Sequence, residues 1–540
     1  VSLRRWIIII WVCFFVRGLL YCSVWPLWEG FDEWAHFSVA QEMSKGHLVI
    51  DRNATTSTEI NLSLQLAPIP RGMTFILPQS VTREQYWQLP VEERARREAA
   101  LQILTAQNAD NAPLVRMPAY EASQPPLYYW LIAIALRVLR NATLVDQVWS
   151  ARVVTFAIGS LAIPIGFILC RKVFRGGPLA FGLCALVVLM PGLAINLARV
   201  SNESLGIVVY TCLLLAICYW IEQPQRYARS LGIGICLGLG LLTKAYFLTA
   251  IPALLFLFLW FIWRDWNSEG KGKEYAIQAL LVFAIALGIG GWWYLRNYME
   301  TGTVSGLDEA LMLRNISFAE KLSAALRLDW HAALDTVLLS HIWYAGWSLF
   351  GLRGSIYRVF RYVLFTAACG LVVSRLFLKS SILFCISVLY GFFWLGQCYQ
   401  IVMLFISKSS STAMGGWYLY SMIWAEVVLF IAGIFAFVPV RFRKHLLRTF
   451  IVAMAALDVY SLHTVAIPYY AHTRRLLSHD FFRLLLDKPQ FLNSSALVFL
   501  WALYSLCTGL SVIAGCVAIR GLHTDRDFGP PSDHFQSRRW

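Results

Sequence analysis

The sequence predicts an all-α polytopic membrane protein, with about 12 transmembrane helices and a large loop after the first of them. Three observations carry that prediction. The chain is 58% hydrophobic and 14% charged, whereas soluble domains carry about 25% charged residues. Apolar runs of about 20 residues recur along its length. Its 22 tryptophans and 23 tyrosines suit the aromatic belts at the two membrane interfaces.

Taken in order, the predicted spans are 6–27, 150–170, 178–198, 204–221, 230–243, 246–263, 276–295, 357–377, 380–406, 415–438, 448–468 and 495–518. The first follows Arg4 and Arg5 and lacks a small-residue cleavage site, so it reads as a retained anchor. With that end inside, the basic loops at 171–175, 222–229, 264–273, 375–379 and 441–448 all fall on the cytoplasmic side, as does the tail after Arg520. This obeys the positive-inside rule and puts both termini in the cytoplasm. The apolar run from Pro126 to Leu139 would invert the parity if it crossed. It is too short to cross comfortably and reads as an interfacial helix.

The outer face then holds a loop at about 28–149 and smaller loops at 199–203, 296–356, 407–414 and 469–494. Within the large loop, the charged stretch 90–104 reads as a solvated surface helix. The expected division is a first module over 1–300, further membrane helices over 301–522 and a polar tail over 523–540. The net charge of +15 lies in short loops, where it sets topology, and does not indicate a nucleic-acid partner. None of the 12 cysteines falls between Trp28 and Ser150, and no CxxC pattern occurs, which excludes a disulfide framework.

The most informative stretch is Phe31-Asp-Glu-Trp-Ala-His-Phe37, just past the first span. On a helix, Asp32 and His36 share a face and Glu33 lies beside it. Carboxylates there can act as a general base or a metal ligand. They can equally be the acidic start of an interfacial helix. Other polar groups also stand at membrane ends: Glu121 ahead of Gln124-Pro-Pro-Leu-Tyr-Tyr-Trp130, Asn202-Glu203, Lys244, and Arg296 within Trp292-Trp-Tyr-Leu-Arg-Asn297. Singly, each reads as a snorkelling cation, a loop polar residue or a belt aromatic. Lys244 is the exception, because positive charge is disfavoured in a tight outer turn and a phosphate partner would explain it.

The order of these features resembles the GT-C-type membrane glycosyltransferases, which take sugars from polyprenyl-phosphate carriers. Five landmarks carry the resemblance over about 1–300: Asp32-Glu33, the Pro-Pro-Leu-Tyr-Tyr-Trp segment, Ala151-Arg152, Thr243-Lys244 and Trp293-Tyr-Leu-Arg-Asn297. Farther on, Gly416-Trp-Tyr-Leu-Tyr420 is similar to a Gly-Arg-Tyr-Leu stretch of some bacterial relatives, with Trp417 in place of the arginine. The nearest branch in pattern is the bacterial one of aminoarabinose and mannosyl transferases, together with relatives carrying DExxHF.

The resemblance implies an enzyme of a bacterial inner membrane. Asp32 would be the base, with Glu33 sharing that role or orienting the acceptor. Lys244 and then Arg296 would meet the donor phosphate. His36, Glu121 and Glu203 would hold a divalent metal ion, although the family's second acidic position, often an Asp, is here Asn202-Glu203. The implied partners are a polyprenyl-phosphate-linked sugar, membrane lipid and an acceptor that is a glycan, lipid or protein. The family typically inverts the anomeric centre. A transporter or lipid flippase is the alternative; the scarcity of charge in mid-span weighs against it. A non-catalytic scaffold would leave the alignment of titratable groups unexplained.

Overall fold

The computed structural model describes residues 3–109, 117–266, 271–472 and 494–522. The expected tail over 523–540 lies outside them. Among the described residues, every regular element is helical, joined by a few isolated β-bridges.

Ten helices are long and apolar enough to cross a membrane: Arg5–Val24, Leu144–Phe174, Glu203–Glu222, Ala245–Arg264, Lys271–Thr301, Gly354–Ser374, Ser381–Lys408, Gly416–Phe437, Val440–Tyr470 and Ser495–Ala518. The pair Gly177–Val188 and Pro191–Leu197, bent by 65°, makes an eleventh. The remaining expected span corresponds to Tyr227–Leu241, whose 15 residues reach only about 22 Å at 1.5 Å per residue. A count of 12 is therefore not reached on length alone.

The bend has a local cause. Pro191 opens the second helix of the pair, where its missing N–H costs nothing, but it could not continue the first. The chain turns there instead of running straight out of the bundle. Ala198 to Asn202 then return towards the site before Glu203 starts the next span.

The stretch read as interfacial is a helix, Leu127–Val138. It buries Tyr128, Tyr129, Ile132 and Leu136 and leaves Ile134 and Val138 exposed. The charged stretch of the first loop is also a helix, Val91–Gln102, with Glu93 paired to Arg96 and Arg97.

Two buried ionic groups tie the bundle together. Arg17 of the first span meets Asp458 at 2.7 Å. The same carboxylate accepts from Tyr21 at 2.6 Å and from Tyr504 at 2.5 Å. Its oxygens are thus fully engaged, as low-dielectric surroundings demand.

The second group is Glu29. Its Oε2 accepts from Arg83 Nε at 2.8 Å and from the Ser348 hydroxyl at 2.9 Å. Its Oε1 accepts from the Ser348 amide at 2.9 Å. The Glu29 carbonyl accepts from Trp347 N at 3.0 Å. A Cβ at Gly346, whose φ is +53°, would sit 2.0 Å from that carbonyl oxygen, so this approach requires glycine. The first loop and the segment around 346–348 are laced together through one side chain.

Candidate active site

The motif past the first span does not simply continue as helix. Trp28 and Asp32 both adopt left-handed backbone, with φ of 60° and 57°. Such residues are costly outside glycine and are kept where surrounding structure over-determines them. The helix Glu33–Ser44 starts immediately after Asp32. A Cβ on Gly30 would lie 2.7 Å from Arg199 Cβ, so a small residue there admits the returning chain.

That turn separates the two carboxylates. Glu33 is fully buried and bound at both oxygens by Arg152, at 2.7 and 2.6 Å. It also accepts from Val200 N at 3.1 Å. Arg152 spends its other hydrogens on the carbonyls of Cys22, Trp25 and Pro26, the orphan acceptors at the end of the first span. The sequence reading gives Glu33 a share in the base role; the structure has both of its oxygens engaged by a fixed guanidinium.

Asp32 is only half-buried and accepts a hydrogen bond from the Tyr120 hydroxyl at 2.6 Å. Burial pushes its carboxyl pKa up. The Tyr120 bond and nearby Arg199 and Lys244 oppose that rise, and Glu203 adds to it.

The cations facing Asp32 are Lys244 and Arg199. Lys244 is buried in its turn, bonded to Glu203 and, at 2.8 Å, to Asn202 Oδ1. Its ammonium lies 5.0 Å from the ring centre of Tyr418. Arg199 is 3.6 Å from the other Glu203 oxygen and bonds Asn196 Oδ1 at 2.8 Å. Its guanidinium sits 5.6 Å from the Phe31 ring and 5.7 Å from the Trp417 ring, which stack on each other at 3.9 Å. Aromatic faces favour a cation in such a place.

Arg199 was not singled out from the sequence. It reads as an ordinary cation at a span end, and only the Pro191 bend and the Gly30 clearance bring it inward. Trp417 stands out in the sequence only as a departure from a family pattern, and the structure places it beside Arg199.

Arg296 does not join this cluster. It pairs with Glu300 at 2.7 Å, four residues along its own helix, and stacks on Trp293. The neighbouring Leu295 and Tyr298 are exposed. The phosphate role expected for Arg296 would compete with this pair, for which the sequence carried a signal in the i,i+4 spacing to Glu300.

His36 and Glu121 lie close to Asp32, Lys244 and Glu203. His36 Nδ1 is 2.7 Å from the Tyr129 hydroxyl and 3.6 Å from Glu121 Oε2. Burial lowers the His36 pKa to about 3, so the ring is neutral at pH 7. Burial, and then the Asp32 charge, push the Glu121 carboxyl well above its usual range.

A divalent ion does not fit this arrangement. Among the described residues, no three His, Cys, Asp or Glu side chains converge as metal ligands do. Glu203 is spent on Lys244 and Arg199, and His36 Nδ1 on Tyr129. The metal set of His36, Glu121 and Glu203 expected from the sequence is therefore not assembled.

Residues 123–292 match the family model described as dolichyl-phosphate-mannose-protein mannosyltransferase. That stretch includes Arg152, Arg199, Glu203 and Lys244. The undecaprenyl phosphate-alpha-4-amino-4-deoxy-L-arabinose arabinosyl transferase 2 of Pseudomonas fluorescens is 26% identical over 247 residues, 45% of this chain and 39% of that protein. The corresponding transferase of Pseudomonas aeruginosa is 27% identical over 165 residues, 29% of each chain.

The chain is similar to the GT-C-type membrane glycosyltransferases.

This GT-C-like chain matches well under half the length of those curated relatives. Its backbone resembles that of ArnT from Cupriavidus metallidurans bound to undecaprenyl phosphate, with a TM-score of 0.48 and 13% identity, over 96% of this chain and 78% of that one.

Proposed function

We propose that this protein is a membrane glycosyltransferase that moves a sugar from a polyprenyl-phosphate carrier to a glycan, lipid or protein acceptor. It works at the outer face of a bacterial inner membrane, with both termini in the cytoplasm. The observation that carries this reading is the pairing of a half-buried carboxylate with two buried cations at one end of an apolar bundle.

Asp32 takes the proton from an acceptor hydroxyl as that oxygen attacks the anomeric carbon. The bond from this carbon to the carrier phosphate oxygen breaks, and its electron pair leaves with the phosphate. Lys244 and Arg199 stabilise the charge that grows there. Glu33 and Arg152 do not touch the reacting atoms; they fix the turn that presents Asp32.

The decisive measurement is undecaprenyl phosphate binding to purified protein by native mass spectrometry. Lys244→Ala weakens binding by about 10- to 100-fold, the worth of one charge-assisted hydrogen bond. Equal, weak binding by wild type and variant sinks the reading and directs attention to solute or lipid flux in sealed vesicles.

The pH profile has a definite sign. Asp32 must be ionised to accept a proton, and its pKa is raised by burial. Activity is therefore lost as pH falls through that raised value, and the acid limb of kcat/KM lies above the free aspartate pKa of about 3.9. A limb at or below the free value removes Asp32 from the base role.

A further inference from the structure

Three buried or half-buried carboxylates, Asp32, Glu121 and Glu203, lie near Lys244 and Arg199, and their oxygens are engaged differently. Glu203 bonds Lys244 through Oε1, and its Oε2 makes no hydrogen bond among the described residues but has the Arg199 guanidinium at 3.6 Å. Asp32 accepts from Tyr120. Glu121 is buried, and its Oε2 makes no hydrogen bond among the described residues. The polar atom nearest to it by a printed contact is His36 Nδ1, at 3.6 Å. That nitrogen is already engaged with the Tyr129 hydroxyl.

An acceptor left open in such surroundings is costly unless something fills it. Its complement is an O–H or N–H donor. Glu121 follows Tyr120, whose hydroxyl binds Asp32, and six residues on Leu127 N donates to the Leu242 carbonyl in the turn that carries Lys244, so Glu121 stands beside the space between the candidate base and the candidate phosphate cation. A sugar esterified to a phosphate at Lys244, with its anomeric carbon turned towards Asp32, carries its ring through that space. The Glu121 backbone is held for this, in the short turn Tyr120–Ser123 just ahead of Gln124-Pro-Pro.

We propose that Glu121 selects the donor sugar by hydrogen bonding a ring hydroxyl or amino group through its unpartnered Oε2. This rests on the glycosyltransferase reading and gives it a residue that reads the sugar separately from the phosphate. A site built to meet a donor discriminates strongly against ligands that lack it, because the buried acceptor is then left empty.

The test separates the two readings. Binding of undecaprenyl phosphate is compared with that of its mannosyl and 4-amino-4-deoxy-arabinosyl esters, for wild type, Glu121→Leu and Glu121→Gln. Wild type binds at least one ester more tightly than the bare lipid, and the preferred ester tells a hydroxyl from an amine. Glu121→Leu loses that gain, by about tenfold, the worth of one buried hydrogen bond. It keeps its affinity for bare undecaprenyl phosphate, which also reports that it is folded. Glu121→Gln, which still offers an acceptor, recovers part of the gain.

Failure of wild type to bind undecaprenyl phosphate overturns the glycosyltransferase reading itself. The Glu121 proposal alone is overturned if wild type binds both esters no better than the bare lipid. It is equally overturned if Glu121→Leu keeps the gain, or if that variant weakens bare and sugar-bearing lipid alike.

Discussion

Replacing Asp32 with asparagine is expected to lower sugar transfer by about 10²- to 10⁴-fold, the usual worth of a positioned general base. The substitution is chosen for its backbone. Asp32 sits at φ 57°, a region that asparagine enters more readily than most residues. The amide oxygen can still accept from Tyr120, so the turn and the neighbouring cations stay in place. What disappears is basicity. Affinity for undecaprenyl phosphate should then stay within about twofold of wild type, because an interaction made only in the transition state has been removed. The measurement is transfer of labelled sugar from a polyprenyl-phosphate donor in proteoliposomes, with lipid binding on the same preparations. A variant that transfers at the wild-type rate rules Asp32 out as the base. Alanine would be a poorer choice, since it also removes the Tyr120 bond.

Breaking the buried pair of Glu33 and Arg152 is expected to have the largest effect on stability. Both side chains are fully buried, with two close contacts between them. Removing one partner strands a charge in a low-dielectric interior, at a cost of about 3–5 kcal/mol. Arg152→Met should cost at least as much as Glu33→Gln, because it also releases three backbone carbonyls. The double variant Glu33→Leu, Arg152→Met removes both charges and should recover a large part of the loss relative to the single changes. Unfolding in detergent, followed by denaturant titration, measures this. Additive losses in the double variant would show that the two groups act independently. Glu33→Gln with native stability and no transfer would show a direct role for Glu33.

The fold was legible because membrane burial writes itself into composition. Each predicted span coincides with a helix or with the bent pair, since about 20 apolar residues between polar loops have few alternatives. The bend itself was not legible. Pro191 was visible, but whether a proline ends, kinks or tolerates a helix is decided by what packs around it.

The site was legible in part. Asp32 and Lys244 stood out as polar groups at membrane ends, and both face the same space. Arg199 did not, because nothing in Ala198-Arg-Val-Ser201 distinguishes it from a cation capping a span. Glu33 and Arg152 were each noticed as landmarks, but their pairing joins positions far apart in the chain and is set by tertiary packing. The same is true of Arg17 and Asp458, which local sequence cannot match to each other.

The bonds around Glu29 bear on how such a protein can be altered. The first loop and the 346–348 segment come from opposite halves of the sequence, yet both close on one carboxylate. A chimera that takes the first loop from a relative while keeping the native 346–348 segment would pair an incoming partner with a foreign receptor surface. Exchange of the first loop between homologues, in the laboratory or by recombination, should therefore yield a folded protein only when the two segments travel together.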